Sequence, residues 1–258
     1  MTKVTVVQLP DSTSELEVAF AALIEHVRRE QPDLVLLPEM PFHPWLAHTD
    51  QVNPAEWQAA VDAHEEWLSR LPALGAPVVL GSRPVLDADT PHNDAFVWQT
   101  DGGARFAHRK HYLPNEPGFW EATWYRPSAD ASFRAAEAGG LKVGFMICSD
   151  LWFGEHARSY ARQGIHILAN PRATEAQSVE KWIAGGTALA VMSGAYCISS
   201  NRIGTGRGGV HFGGAGWVID PNGVLLARTS ETEPFVTVEI DPAFAEAAKH
   251  TYPRDVKE

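Results

Sequence analysis

Short runs that are apolar at every position recur along this chain, and they set the main limit on its fold. Leu34-Val35-Leu36-Leu37, Val78-Val79-Leu80 and Phe145-Met146-Ile147 have no polar face. A strand of that kind must be covered above and below. The segments between the runs supply the covers. Residues 14–30 carry Leu16, Phe20, Leu23, Ile24 and Val27 at helical spacing, with Ser12, Thr13 or Ser14 placed to cap the first turn. Residues 54–71 read as a second helix, and 155–163 and 175–193 as a later pair, the last broken in mid-course by Gly185-Gly186. Strands are expected at 4–8, 94–98, 104–108, 142–147, 165–169, 197–201 and 235–240. This alternation predicts a mixed α/β layout.

The chain has 258 residues, with no internal repeat and no low-complexity linker, so one domain over residues 1–258 is expected. No apolar run is long enough to span a bilayer. The start, Met1-Thr2-Lys3-Val4-Thr5-Val6-Val7-Gln8, reads as a first strand rather than a leader. Two cysteines, Cys148 and Cys197, suggest free thiols in a reducing cytoplasm. The formal charge of −11 is spread along the chain. It favours solubility and offers no positive footprint for nucleic acid or a membrane surface. Residues 111–130 are rich in Pro, Gly and aromatic side chains without a regular period, and so long a loop in a compact domain usually serves a function.

Three segments each set a reactive side chain beside an apolar strand. In Leu37-Pro38-Glu39-Met40, Glu39 stands at a strand end. It is either exposed just past the strand or a carboxylate at a desolvated edge, where proton exchange near neutral pH becomes feasible. In His108-Arg109-Lys110-His111-Tyr112-Leu113-Pro114, Lys110 is either part of a solvated basic patch or aimed at developing negative charge. Cys148 follows a strand and precedes Ser149-Asp150-Leu151-Trp152. It is either a small buried hydrophobe or a nucleophile on a tight turn, and a nucleophilic thiol needs a base or a cation nearby. Lys110 close by is expected to lower the thiol pKa. The histidines, His108 and His111 included, have no metal-ligand spacing, and neither a metal nor another cofactor is expected.

Taken together, the three segments resemble the nitrilase, or carbon–nitrogen hydrolase, superfamily, over nearly the whole chain from Val4 to Asp241. The resemblance implies a four-layer α-β-β-α sandwich assembled into homodimers or larger oligomers. It implies that Glu39 is the general base, that Lys110 and the Ser149 N–H hold an oxyanion, and that Cys148 forms a thioester. It also implies a second glutamate, Glu121 in Gly118-Phe119-Trp120-Glu121, with Glu116 as the rival. The residues after the cysteine, Ser149-Asp150, and the run Pro114-Asn115-Glu116-Pro117-Gly118-Phe119-Trp120-Glu121 look closest to the amidase and carbamoylase branch. Two departures stand out: Gly154 replaces the usual proline before Glu155, and Asn170-Pro171-Arg172-Ala173-Thr174 replaces a loop of small residues. Arg172 is expected either to clamp a substrate carboxylate or to form a structural salt bridge. Trp120, Trp124, Trp152, Phe119 and Phe42 are either pocket walls or core. The implied substrate is a small amide, N-carbamoyl compound or nitrile. An acyl transferase and a non-catalytic binding protein are the competing readings.

Overall fold

In the computed structural model, which describes residues 1–256, the apolar runs lie in or just past strands of two facing sheets, with Leu37 and Met146-Ile147 beyond the strand ends. The first sheet contains β1 (Thr2–Pro10), β2 (Leu34–Leu36), β3 (Val78–Asp87), β4 (Thr90–Gln99) and β5 (Gly103–Arg109). The second contains β6 (Ala136–Ala138), β7 (Leu141–Phe145), β8 (Ile167–Arg172), β9 (Tyr196–Thr205), β10 (His211–Gly213), β11 (Trp217–Ile219) and β12 (Leu225–Arg228). The last strand, β13 (Phe235–Ile240), returns to lie antiparallel to β1. Strands β1, β2 and β3 are parallel, and β4 and β5 continue the sheet antiparallel. In the second sheet β7, β8 and β9 are parallel, with β6 and β11 antiparallel at their flanks. The sheets join where Gln8, Leu9 and Pro10 leave β2 and pair with Asn201, Arg202 and Ile203 of β9.

Strict alternation explains why these strands carry no polar face. Val4, Val6, Leu34, Leu36, Val78, Leu80, Ala95 and Val97 point between the sheets and pack with Val143, Phe145, Ile147, Ile167 and Ile198. Their neighbours Val7, Val35, Leu37, Val79, Phe96 and Trp98 point outward. There they meet Leu16, Phe20, Leu23 and Val27 of α1 (Thr13–Glu30) and Trp67 and Leu68 of α2 (Pro54–Arg70). The first turn of α1 is capped by Ser12, whose hydroxyl accepts from the Glu15 N–H at 3.3 Å. A short helix, α3 (Glu121–Trp124), lies within the long loop, and α4 (Glu155–Arg162) and α5 (Val179–Ser193) cover the second sheet. The layers are therefore α-β-β-α. The final helix is α6 (Pro242–Ala248).

The expected break in the fourth long helix is absent: α5 runs unbroken through Gly185-Gly186. These glycines serve close approach instead. A Cβ on Gly185 would lie 2.7 Å from Leu151 and 2.9 Å from Trp152, and one on Gly186 would lie 3.0 Å from the Trp217 ring. Packing of α5 onto the turn after Cys148 and onto the sheet offsets the helix propensity lost at each glycine, about 1 kcal/mol. No helix among the described residues is long and apolar enough to cross a membrane.

Candidate active site

The site forms where several strands end at one edge. Glu39 follows β2, Lys110 follows β5 and Cys148 follows β7 by three residues. A bulge opposite Ala95 and Phe96 shifts the β4–β5 register. Beyond it, alternation turns Arg109 outward to Asp94 at 2.7 Å and turns His108 and Lys110 inward. The basic run His108-Arg109-Lys110-His111 is therefore not one solvated patch, because Lys110 is fully buried.

Lys110 Nζ donates to Glu39 Oε1 at 2.8 Å and to Glu121 Oε2 at 2.5 Å. Asn93 Nδ2 also donates to Glu39 Oε1 at 2.8 Å, and the Tyr125 hydroxyl donates to Glu121 Oε2. Glu39, Lys110 and Glu121 are all fully buried. One oxygen of each carboxylate, Glu39 Oε2 and Glu121 Oε1, has no hydrogen-bond partner. Glu116, by contrast, is exposed and contributes only backbone bonds to Phe119. Glu121 is thus the glutamate beside Lys110.

The charges of this group are set by opposing effects. Burial disfavours the Lys110 ammonium, but the Glu121 and Glu39 carboxylates outweigh it and hold its pKa above the ordinary lysine value. Burial pushes the Glu121 carboxyl up to about 7, with Lys110 pulling it down and Glu39 pushing it further up. The Cys148 thiol runs against expectation. Burial raises its pKa well above the usual thiol value, Glu39 adds to the rise, and the lowering by Lys110 does not compensate. At neutral pH the sulfur therefore rests protonated and needs a proton acceptor at the moment of attack.

The turn carrying Cys148 is tightly held. Cys148 has φ +45° and Met40, just after Glu39, has φ +42°, a region that costs non-glycine residues of order 1–3 kcal/mol. Both are braced. Met40 N donates to Ser82 Oγ at 3.2 Å and the Met40 carbonyl accepts from buried Arg202. Asn170 Nδ2 donates to the carbonyls of Met146 at 2.6 Å and Cys148 at 3.3 Å. Asp150 ties the cysteine turn to the lysine strand. Its Oδ1 accepts from His111 N (3.2 Å) and Tyr112 N (2.9 Å), and its Oδ2 from His108 Nε2 (3.1 Å) and Ile147 N (3.2 Å). Ser149 Oγ adds a bond to the Tyr112 carbonyl at 2.6 Å. The donors on the lysine side flank Lys110 in sequence, so this carboxylate fixes where the ammonium stands relative to the sulfur.

Cys148 opens into a cleft of about 290 Å³ that Glu121, Ser149, Phe119, Trp152 and Trp182 help to line. Of the five aromatic candidates, Phe119 and Trp152 reach it. Trp120 and Trp124 pack with Trp45, Trp57 and Tyr125 in a cluster that meets the cleft only through Phe119 and Ala173, and Phe42 stacks on Trp67 under the helices. Trp120 is therefore not a cleft residue. Arg172 is neither a substrate clamp nor half of a salt bridge. Its guanidinium is fully buried, donates to Ser199 Oγ (2.8 Å), Thr174 Oγ1 (2.6 Å) and the carbonyls of Gly214 and Ala215, and lies 4.1 Å from the Trp217 ring. Burial away from any carboxylate pulls its pKa down to about 9. Asn93, Tyr125 and Arg202 carry no signal in the sequence. Asp150 stands two residues after the cysteine, and Asn170 opens the run Asn170–Thr174 that departs from the expected small-residue loop.

A two-sheet α/β fold that presents a thiol beside an ammonium and two carboxylates defines a site suited to acyl transfer onto sulfur. The chain belongs to the carbon–nitrogen hydrolase family, whose pattern matches residues 3–250. It is 29% identical over 271 residues to an omega-amidase of Saccharomyces cerevisiae, covering 97% of this chain and 91% of that one. It is also 29% identical over 167 residues to an N-carbamoylputrescine amidase of Solanum tuberosum, an alignment covering 59% of this chain and 55% of that protein. A crystal structure of a carbon–nitrogen hydrolase from Helicobacter pylori matches with a TM-score of 0.86 at 25% identity, covering 98% of this chain and 94% of that one.

Proposed function

We propose that this chain, acting as one hydrolase domain, cleaves a non-peptide amide or N-carbamoyl bond through a thioester on Cys148 and releases ammonia. The observation that carries this reading is the buried Glu39–Lys110–Glu121 group at the cleft that Cys148 opens into. The unpartnered Glu39 Oε2 takes the thiol proton as Sγ attacks the carbonyl carbon. Lys110 has three N–H donors, and two go to carboxylates. The third, with the Ser149 N–H, receives the oxyanion. The C–N bond then breaks and Glu39 returns the proton to the departing nitrogen. Water attacks the thioester carbonyl as Glu39 takes its proton, the C–S bond breaks, the acid leaves, and Glu39 returns the proton to the sulfur. Glu121 orients Lys110 and offers its free oxygen toward the substrate.

Omega-amidase and carbamoylputrescine amidase relatives support an amide-type substrate over a nitrile. The same reading carries a reducing cytoplasm, which suits two buried free thiols, and a homodimer or larger assembly, which size-exclusion chromatography with light scattering tests. The functional test is ammonia release from short amides, N-carbamoyl amines and acids, and nitriles, with Cys148→Ala as the blank. Cys148→Ala, Lys110→Ala and Glu39→Gln are each expected to abolish turnover in folded protein. Full activity in any one of them refutes the role given to that residue.

A further inference from the structure

Arg172 is a buried charge at the edge of the site that the mechanism leaves unused. Its guanidinium is fully buried, and its partners are neutral oxygens: Ser199 Oγ at 2.8 Å, Thr174 Oγ1 at 2.6 Å and the carbonyls of Gly214 and Ala215. Among the described residues no carboxylate pairs with it, whereas the buried guanidinium of Arg202 is matched by Asp11. A charge taken out of water ordinarily has a partner of opposite sign. Without one, the positive field of Arg172 is spent on its surroundings. The backbone of the same residue is part of the site. Its carbonyl accepts from Glu39 N at 3.3 Å, and the carbonyl of the next residue, Ala173, lies 3.9 Å from Cys148 Sγ. Ala173 and Thr174 also line the cleft. The guanidinium therefore ties to β9 and to residues 214 and 215 the segment that meets both the base and the sulfur.

The charges nearby make that field matter. In the buried group Glu39 and Glu121 face the single ammonium of Lys110, and both glutamates oppose a negative sulfur. Burial lowers the Arg172 pKa, and Cys148 leads the groups that push it back up, so guanidinium and sulfur act on each other. Resting on the hydrolase reading above, we propose that Arg172 is a positioning residue of this reaction. Its guanidinium, held without a counter-ion, fastens residues 172–174 between Glu39 and Cys148 and supplies positive field that favours moving negative charge from Glu39 onto the sulfur.

The test measures how fast iodoacetamide labels Cys148 at mildly alkaline pH, read at the cysteine peptide by mass spectrometry, beside ammonia release. Arg172→Met is expected to slow labelling about three- to tenfold. A thiol pKa raised by about one unit leaves roughly a tenth of the thiolate, and the more basic sulfur recovers part of the rate through greater nucleophilicity. In ammonia release kcat is expected to fall about tenfold with KM little changed, the pattern of an interaction that strengthens as the reaction proceeds. Arg172→Lys keeps the charge but not the fork of hydrogen bonds, so it is expected to restore the labelling rate while the melting temperature stays low. Ser199→Asp gives the guanidinium a carboxylate and leaves it in place, and it is expected to slow labelling as Arg172→Met does. If Arg172→Met does not fold, Ser199→Asp decides. Folded variants that lose stability yet label at the parent's rate, or failure of both to fold, make Arg172 a structural residue only and overturn the inference. If the parent releases no ammonia from any amide, the hydrolase reading fails, and the labelling rates still decide whether Arg172 acts on the sulfur.

Discussion

Replacing Asp150 with Asn tests how the site is assembled. The fully buried Asp150 carboxylate accepts four N–H bonds, two at each oxygen, from both sides of the cysteine–lysine junction. Asparagine keeps the shape and turns one oxygen into an NH2 group. If Oδ1 is replaced, the His111 and Tyr112 N–H groups face a donor; if Oδ2 is replaced, the Ile147 N–H does, while His108 can change tautomer and accept. A hydrogen bond to a charged acceptor contributes about 1.5–3 kcal/mol, so losing one or two costs about 1.5–6 kcal/mol. At about 2–4 °C per kcal/mol for a chain approaching this size, the midpoint of thermal unfolding falls by roughly 3–24 °C. The same loss frees the backbone at His111 and Tyr112, next to Lys110. A misplacement of about 1 Å at a catalytic group costs on the order of a hundredfold in rate. The assay pairs calorimetry with ammonia release from the best substrate, measured well below the lowered midpoint. The expected result is a destabilised protein whose kcat/KM is down about a hundredfold even where it is fully folded. A variant that melts within a degree of the parent, or one that is destabilised yet fully active when folded, refutes the argument that this carboxylate sets the lysine against the sulfur.

Other outcomes follow from the same geometry. The acid limb of the kcat/KM profile is expected near pH 7, where Glu121 takes up a proton and loosens its hold on Lys110. Tyr125→Phe removes a donor that favours the Glu121 carboxylate, so the limb moves to higher pH; an unmoved or lowered limb contradicts this. His64 is buried with its pKa pulled down to about 3 by burial, so the unfolded chain binds a proton below its ordinary value of 6.5 while the native protein does not. Stability present above pH 6.5 is therefore lost as pH falls toward 3. His64→Gln, which can still donate to the Ala60 carbonyl and accept from the Phe42 N–H, is expected to move the acid-unfolding midpoint down, as read by circular dichroism. Gly144→Ala places a Cβ 2.8 Å from three atoms of the buried Tyr160 ring, beneath the strand that leads to Cys148. Overpacking of this kind costs about 1–3 kcal/mol, so a urea midpoint at or above that of the parent is the contrary result.

Much of the layout was legible because its causes are local. Alternation within Leu34-Val35-Leu36-Leu37 and the helical spacing of Leu16, Phe20, Leu23 and Val27 each depend on residues a few positions apart. The strand-end reading of Glu39 and Cys148 is local as well. Gly185-Gly186 misled because glycine weakens an isolated helix, whereas here the missing Cβ is what lets α5 sit against Leu151 and Trp217. Arg172 misled in a similar way. It stands at the end of an apolar strand near the site, yet besides Thr174 its partners come from residues 199, 214 and 215, far along the chain.

The order of side chains alone determined the two-sided strands, the helices that cover them, and the positions of a thiol, an amine and two carboxylates at strand or loop ends. Only the folded molecule decided that Lys110 is held between Glu39, 71 residues away, and Glu121, 11 residues away, and that the sulfur keeps its proton. The reason is additive electrostatics in a dry interior. A pKa there is the balance of burial and several charges, and those contributions come from segments whose distances exist only once the chain has closed on itself.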